Sequence, residues 1–97
     1  MEFSHFGNKY EGSLEYLQYH NGNLAVQLIL DNGELYATLS VNVEGVTLAD
    51  NEFVAKTYSE NDGLVEQFVE KGHFIPVRDA QVGFVGSQPI MRIENNA

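Results

Sequence analysis

Strict alternation of apolar and polar residues dominates the middle of the chain. From Leu24 to Leu30, Leu24, Val26, Leu28 and Leu30 share one side of an extended backbone, and Ala25, Gln27 and Ile29 share the other. From Glu34 to Val43 the pattern is cleaner. Leu35, Ala37, Leu39 and Val41 fall on a face expected to be buried; Glu34, Tyr36, Thr38, Ser40 and Asn42 fall on a face expected to be wet. Period two with one polar side predicts an antiparallel sheet solvated on one face. Asn21-Gly22 and Asp31-Asn32-Gly33 separate these runs from each other and from a Tyr-rich first strand, Ser13 to Tyr19. Asn and Gly tolerate positive φ, so both sites read as hairpin turns. Val46 to Leu48 reads as a continuation after a turn at Glu44-Gly45. Glu52 to Thr57 reads as a fourth strand, with Phe53 and Ala55 on one side.

The period changes once. Leu64, Val65, Phe68 and Val69 stand at i, i+1, i+4 and i+5, an apolar stripe of a helix, with Glu66, Gln67 and Glu70 facing water. Ser59 or Asn61 is placed to supply the N-cap oxygen, and Asp62 sits where the helix dipole favours a negative charge. Lys71 and Gly72 suit the C-terminal end. Phe74 to Val77 is a short extended piece that Pro76 keeps off a central ladder position. Gly83, Gly86 and Pro89 mark an irregular loop, Ile90 to Glu94 a last strand, and Asn95-Asn96-Ala97 a tail expected to fray. The expectation is one α+β domain over residues 1–97: an antiparallel sheet of four to five strands with one helix packed on one face.

Composition narrows the function. The chain has 97 residues, enough for one domain, and its hydrophobic fraction of 43% is that of a folded protein. With no cysteine, disulfides, thiolate zinc sites and cysteine nucleophiles are excluded. No apolar run approaches a membrane span, and the N-terminus does not read as a signal peptide, so the expected setting is the cytoplasm of a bacterial cell. Fourteen carboxylates face five Lys and Arg residues, for a formal net charge of −9. Phosphate neutralisation needs a basic surface, so direct nucleic-acid binding is disfavoured, as is binding to anionic membranes. Basic protein partners are favoured.

No residue pattern points to catalysis, a metal or a cofactor. Gly83 and Gly86 lack the Lys-Ser and the helix of a phosphate loop. His5, His20 and His73 are scattered, without the spacing of a ligand pair. No serine lies in an elbow-type context. Asp50, Glu52, Glu60 and Asp62 do not match a calcium loop, and Glu66 and Glu70, one turn apart, read first as a solvated helix face. Two surface features remain. Phe3, Phe6, Tyr10, Tyr16 and Tyr19 crowd the first twenty residues among Glu2, Glu11 and Glu15, which favours core packing or a protein interface over base stacking. Glu34, Glu44, Asp50, Glu52, Glu60, Asp62, Glu66 and Glu70, with Tyr36, would form a protein-binding face if they fall on one side. Even dispersion of the carboxylates, serving solubility, is the alternative.

The stretch Glu34-Leu35-Tyr36-Ala37-Thr38-Leu39-Ser40-Val41-Asn42 resembles the "PYATLTVN" block of a bacterial family described as a domain of unknown function. Phe53-Val54-Ala55-Lys56-Thr57 resembles its "FVDTN" stretch, Phe68-Val69-Glu70-Lys71-Gly72 its "FIEENG" stretch, and Gly83-Phe84 with Pro89 and Arg92 its closing "SGF…YP…YRF" pattern. The resemblance covers roughly Gly22 to Ile93, in order. The chain departs from it at Ala55-Lys56-Thr57 and Val85-Gly86-Ser87, where the family has Asp-Thr-Asn and Cys-Thr-Tyr. The family travels on plasmids, conjugative elements and phages, and no catalytic residues are assigned to it. Small acidic proteins of such elements are often inhibitors of host defence, anti-CRISPR proteins among them. The resemblance therefore implies a setting and not a mechanism. Net charge, small size, the lack of a catalytic pattern and that setting together give the expectation: a non-enzymatic inhibitor of a bacterial defence nuclease whose carboxylates imitate nucleic acid in a basic groove. The alternative is a structural or regulatory accessory protein of a mobile element, monomeric or dimeric through a sheet edge such as Leu24–Leu30.

Overall fold

A computed structural model describes residues 1–94; the tail expected to fray, 95–97, lies outside the described residues. The strands are β1 (Glu2–His5), β2 (Asn8–Gln18), β3 (Leu24–Leu30), β4 (Leu35–Thr38), β5 (Ser40–Val41), β6 (Glu52–Ala55), β7 (Phe74–Gln81) and β8 (Ser87–Ile93). One helix, α1 (Val65–Glu70), and two 3-10 turns, Ser59–Asn61 and Gly83–Val85, complete the order among the described residues. The strands form two four-stranded antiparallel sheets, β1-β2-β3-β4 and β5-β6-β8-β7. The α+β expectation holds in its coarse form, but there are two sheets where one was expected.

The division into two sheets happens at Leu39. Its N–H donates to Val26 O of the first sheet at 2.8 Å, and its carbonyl accepts from Lys56 N beside the second, also at 2.8 Å. The single strand expected over Glu34 to Val43 is therefore broken into β4 and β5. Its faces also differ from the alternation. A register shift opposite Leu28 and Ile29 pairs Ala37 with Leu28 but Leu35 with Ile29. An inserted residue reverses which side later residues face. Leu35 is consequently 54% exposed, and Tyr36 turns inward against Phe3 and Tyr10. Ser40, expected to be wet, is buried; its hydroxyl accepts from Val26 N at 3.0 Å and shares a hydrogen bond with the Tyr19 hydroxyl at 2.8 Å.

The first sheet begins earlier than the sequence suggests. β1 and β2 form a hairpin whose turn, Phe6-Gly7, has two left-handed residues at φ 51° and 80°. Phe is not a turn residue, so this hairpin carries no compositional signal. β2 pairs with β1 through Asn8–Glu11 and with β3 through Gly12–Gln18, on opposite edges. Gly12 sits where the partners change, and a Cβ there would lie 2.5 Å from Ile29 O. β3 matches its expected span. It is an inner strand, however, paired with β2 on one side and with β4 and Leu39 on the other. It cannot be the dimer edge considered above.

The helix is short, six residues, and Leu64 at its N-terminus is itself helical with no side-chain cap. Asn61 does not cap it. Its fully buried side chain donates to Thr38 O at 2.7 Å and Lys56 O at 3.0 Å, tying the two sheets together. Gln67 does not face water either. Its amide bonds Ser4 N and Ser4 O of β1, and Lys71 Nζ donates to Glu2 O. The helix thus closes the outer edge of β1, which would otherwise offer free backbone groups. One core joins both sheets and the helix: Phe3, Val26 and Leu28 meet Leu39, Phe53, Phe68 and Phe74. Pro76 lies on an edge strand as expected, but β7 continues past it to Gln81, with a register shift between Pro76 and Arg78. Pro89 lies in β8 opposite Asp79, outside the Ile90–Arg92 stretch that pairs with β6.

Candidate protein-interaction surface

Most of the expected acidic residues stand on turns and loops, where an antiparallel framework places its polar residues. Glu34 ends the β3–β4 turn, its N–H bonded to Asn32 Oδ1 at 2.9 Å. Glu44 and Asp50 lie in the connection between β5 and β6. Glu60 belongs to the 3-10 turn, Asp62 follows it, and Glu66 and Glu70 share one helix face at i, i+4. All seven are exposed. Glu60, Asp62, Glu66 and Glu70 lie along one stretch of chain, the 3-10 turn and α1, while Glu34 stands on the β3–β4 connection and Glu44 and Asp50 on the β5–β6 connection.

Two expected members of this surface are placed otherwise. Glu52 is buried at the start of β6 and binds Arg78 through both oxygens, at 3.0 and 3.1 Å. Ala49 N also donates to it at 2.9 Å. The Arg78 hydrogen bonds, then the Ala49 amide, hold its carboxyl below the usual range. Arg78 continues to Thr47 O at 2.8 Å, so the pair fastens the β5–β6 connection over the second sheet. Glu52 is a structural anchor and not a free charge. Tyr36 is half-buried, and its hydroxyl shares a 2.5 Å hydrogen bond with His5 Nδ1. Burial first, and the neighbouring Tyr10 hydroxyl second, push it up to about 12. It is therefore a neutral phenol at physiological pH.

The cations are largely occupied within the fold. Lys56 pairs with Glu60 at 2.5 Å, Arg78 with Glu52, Arg92 with Glu94 at 4.0 Å, and Lys71 with the β1 backbone. The Lys56 hydrogen bond is the leading reason that Glu60 titrates down at about 2. Glu34, Glu44, Asp50, Asp62, Glu66 and Glu70 make no ion pair among the described residues, which leaves their field uncancelled at short range.

The N-terminal aromatics divide. Phe3 is core, Tyr10 stacks on it with ring centroids 5.3 Å apart, and Tyr19 is half-buried. Phe6 is 73% exposed at the hairpin tip. Its ring stacks on the buried His5 at 4.0 Å, and His5 meets Tyr36 edge-on. The tip is thus connected to the core through rings in contact. A bulky residue held in the left-handed region is strained, and such strain persists where something else requires the residue.

A cleft of about 330 Å³, lined by Tyr16, Asn51, Ile93 and Glu94, had no signal in the sequence. Its lining comes from three distant segments that only the two-sheet arrangement brings together. Among the described residues no cluster of three or more His, Asp or Glu could hold a metal ion, and no helix is long and apolar enough to cross a membrane. Comparison with protein-family models, with curated proteins and with solved structures finds no match to this chain.

Proposed function

We propose that this chain is a non-enzymatic inhibitor, acting in the bacterial cytoplasm, that binds the basic groove of a defence nuclease in the manner of anti-CRISPR proteins. One observation carries the reading. Glu34, Glu44, Asp50, Asp62, Glu66 and Glu70 are exposed and make no ion pair among the described residues, while four of the five Lys and Arg residues contact groups of the chain itself. Such a surface attracts a basic groove from a distance and substitutes for phosphates within it. Phe6 supplies the apolar contact, already ordered by its stack on His5, so little entropy is lost when it is covered.

The test is capture of basic nuclease effectors by the tagged protein, with and without nucleic acid, at two salt concentrations. Binding is expected to weaken with salt and to compete with nucleic acid. Reversing Glu66 and Glu70 to Lys is expected to abolish it, with Gln67 left intact because it closes the β1 edge. Undiminished capture by that variant overturns the mimicry. The accessory-protein reading keeps one observation in its favour: β7 ends the second sheet and presents exposed residues from Pro76 to Asp79. Monomeric behaviour at all concentrations in sedimentation would remove a dimer through that edge.

A further inference from the structure

The cleft beside β2 has a chemistry of its own. Past Gly12, the edge of β2 that faced β1 has no partner strand among the described residues. Tyr16 lies there in register with Val26, which is fully buried, yet Tyr16 is 44% exposed. Ile93 of β8 lines the same cleft but leaves Tyr16 half-exposed. Tyr16 and Ile93 bring an aromatic and an aliphatic side chain to the lining, Asn51 and Glu94 an amide and a carboxylate. The Asn51 carbonyl is taken by Ile93 N at 2.9 Å, while its side-chain amide makes no hydrogen bond among the described residues. Glu94 has one ion contact, with Arg92, at the long distance of 4.0 Å. A wholly apolar ligand would strip water from Glu94 and Asn51 with nothing in return. An anion would meet a carboxylate in a chain of net charge −9. A cation with a flat, weakly hydrated face suits three of the four groups: it can lie on the tyrosine ring, donate to the carboxylate and donate to the amide oxygen.

We infer that this cleft is a binding site for a guanidinium group, carried by a small molecule or by an arginine side chain of a basic partner. Guanidinium is favoured over ammonium because it stacks on an aromatic face and reaches a carboxylate through two parallel donors. The cleft's affinity for the group stands apart from the inhibitor reading; its use by a nuclease partner rests on that reading.

The test is a titration of the isotope-labelled full chain, followed by NMR, with N-acetyl-arginine methylamide. The neutral isostere N-acetyl-citrulline methylamide and N-acetyl-lysine methylamide serve as comparisons. Saturable shifts at Tyr16, Asn51, Ile93 and Glu94 are expected in the millimolar range, with citrulline roughly tenfold weaker and lysine between them. Glu94→Gln and Tyr16→Leu, each checked for an unchanged fold by circular dichroism, are each expected to weaken arginine binding about fivefold or more. Absence of saturable shifts at these residues, an equal response to citrulline, or a response indifferent to Glu94→Gln overturns the site. Glu94→Gln in the effector capture then separates the two sources. Loss of capture assigns the cleft to a partner's arginine, and undiminished capture assigns it to a free guanidinium compound. If no effector is captured while the arginine amide still saturates the cleft, the inhibitor reading fails and the site stands.

Discussion

The two sheets are held together in different ways. In the first, β1 to β4 follow one another through short turns at Phe6-Gly7, Asn21-Gly22 and Asn32-Gly33, and each strand pairs with its neighbour in sequence. In the second, the order β5-β6-β8-β7 needs contacts over long separations. Arg78 reaches Glu52 and Thr47, Thr57 donates to Gln88 Oε1 at 2.5 Å, and Asn61 gathers Thr38 and Lys56. Damage to a turn in the first sheet should therefore stay local. Loss of one polar side chain around the second should loosen several segments together. The shared core limits this independence, because the apolar residues of both sheets pack on each other.

The largest expected effects test that limit. Leu28→Ala in the first sheet should cost about 2–5 kcal/mol and Phe53→Ala in the second about 3–5 kcal/mol, since both side chains are fully buried. A domain of this size has roughly 5–15 kcal/mol in total, so either variant should sit near its unfolding transition. Both should lose hydrogen-exchange protection in both sheets. Protection surviving in β2 and β3 of Phe53→Ala would mean that the sheets are separate cooperative units.

Next comes the contrast itself. Asn61→Ala takes a fully buried donor from two part-buried carbonyls and is expected to cost about 2–3 kcal/mol. Asn32→Ala removes only an exposed bond to Glu34 N and is expected to cost about 1 kcal/mol or less. Chemical denaturation of the two variants measures the difference. Equal losses would erase the distinction between local and long-range fastening.

Glu52→Gln sharpens it through pH. The variant keeps the shape of the side chain but loses the charge that two guanidinium nitrogens bind, for a cost of about 1–2 kcal/mol near neutrality. The Glu52 carboxyl titrates below its unfolded value, so its contribution is complete above the unfolded carboxylate pKa of about 4.3 and is lost as pH falls through the lower folded value. Wild type and variant should therefore differ at pH 7 and converge in acid. A gap that persists to the lowest pH at which both remain folded would show that the charge is not what matters.

The same contrast governs what could be read from the residues. β3, the Asn-Gly turns, the helical stripe at Leu64, Val65 and Phe68, and the edge position of Pro76 follow from local pattern, and they are where local pattern said. The break at Leu39 was not legible, because alternation runs through it undisturbed and the cause is hydrogen bonding to two distant partners. Asn61 reads as a cap in sequence, since nothing local shows the two carbonyls that claim it. Glu52 reads as one acid among many, because Arg78 is 26 residues away. The exposed carboxylates of the turns were legible, because turns are polar for local reasons. The cleft was not, since Tyr16, Asn51 and Glu94 are neighbours only after both sheets have formed.

The smallest expected effect carries the opposite sign and belongs to the first sheet. Phe6 occupies a turn position at φ 51° that suits Asn or Gly, and a bulky side chain there costs about 1 kcal/mol. Little burial offsets the cost, because the ring is 73% exposed and its contact is the stack on His5. Phe6→Asn should therefore raise stability by up to about 1 kcal/mol, a rise in Tm of a few degrees. A stabilised variant that also loses effector capture would identify the phenylalanine as a residue held against the preference of its own turn for the sake of binding. A destabilised variant would mean that the His5 stack outweighs the backbone strain, and the tip would then be part of the fold and not a contact reserved for a partner.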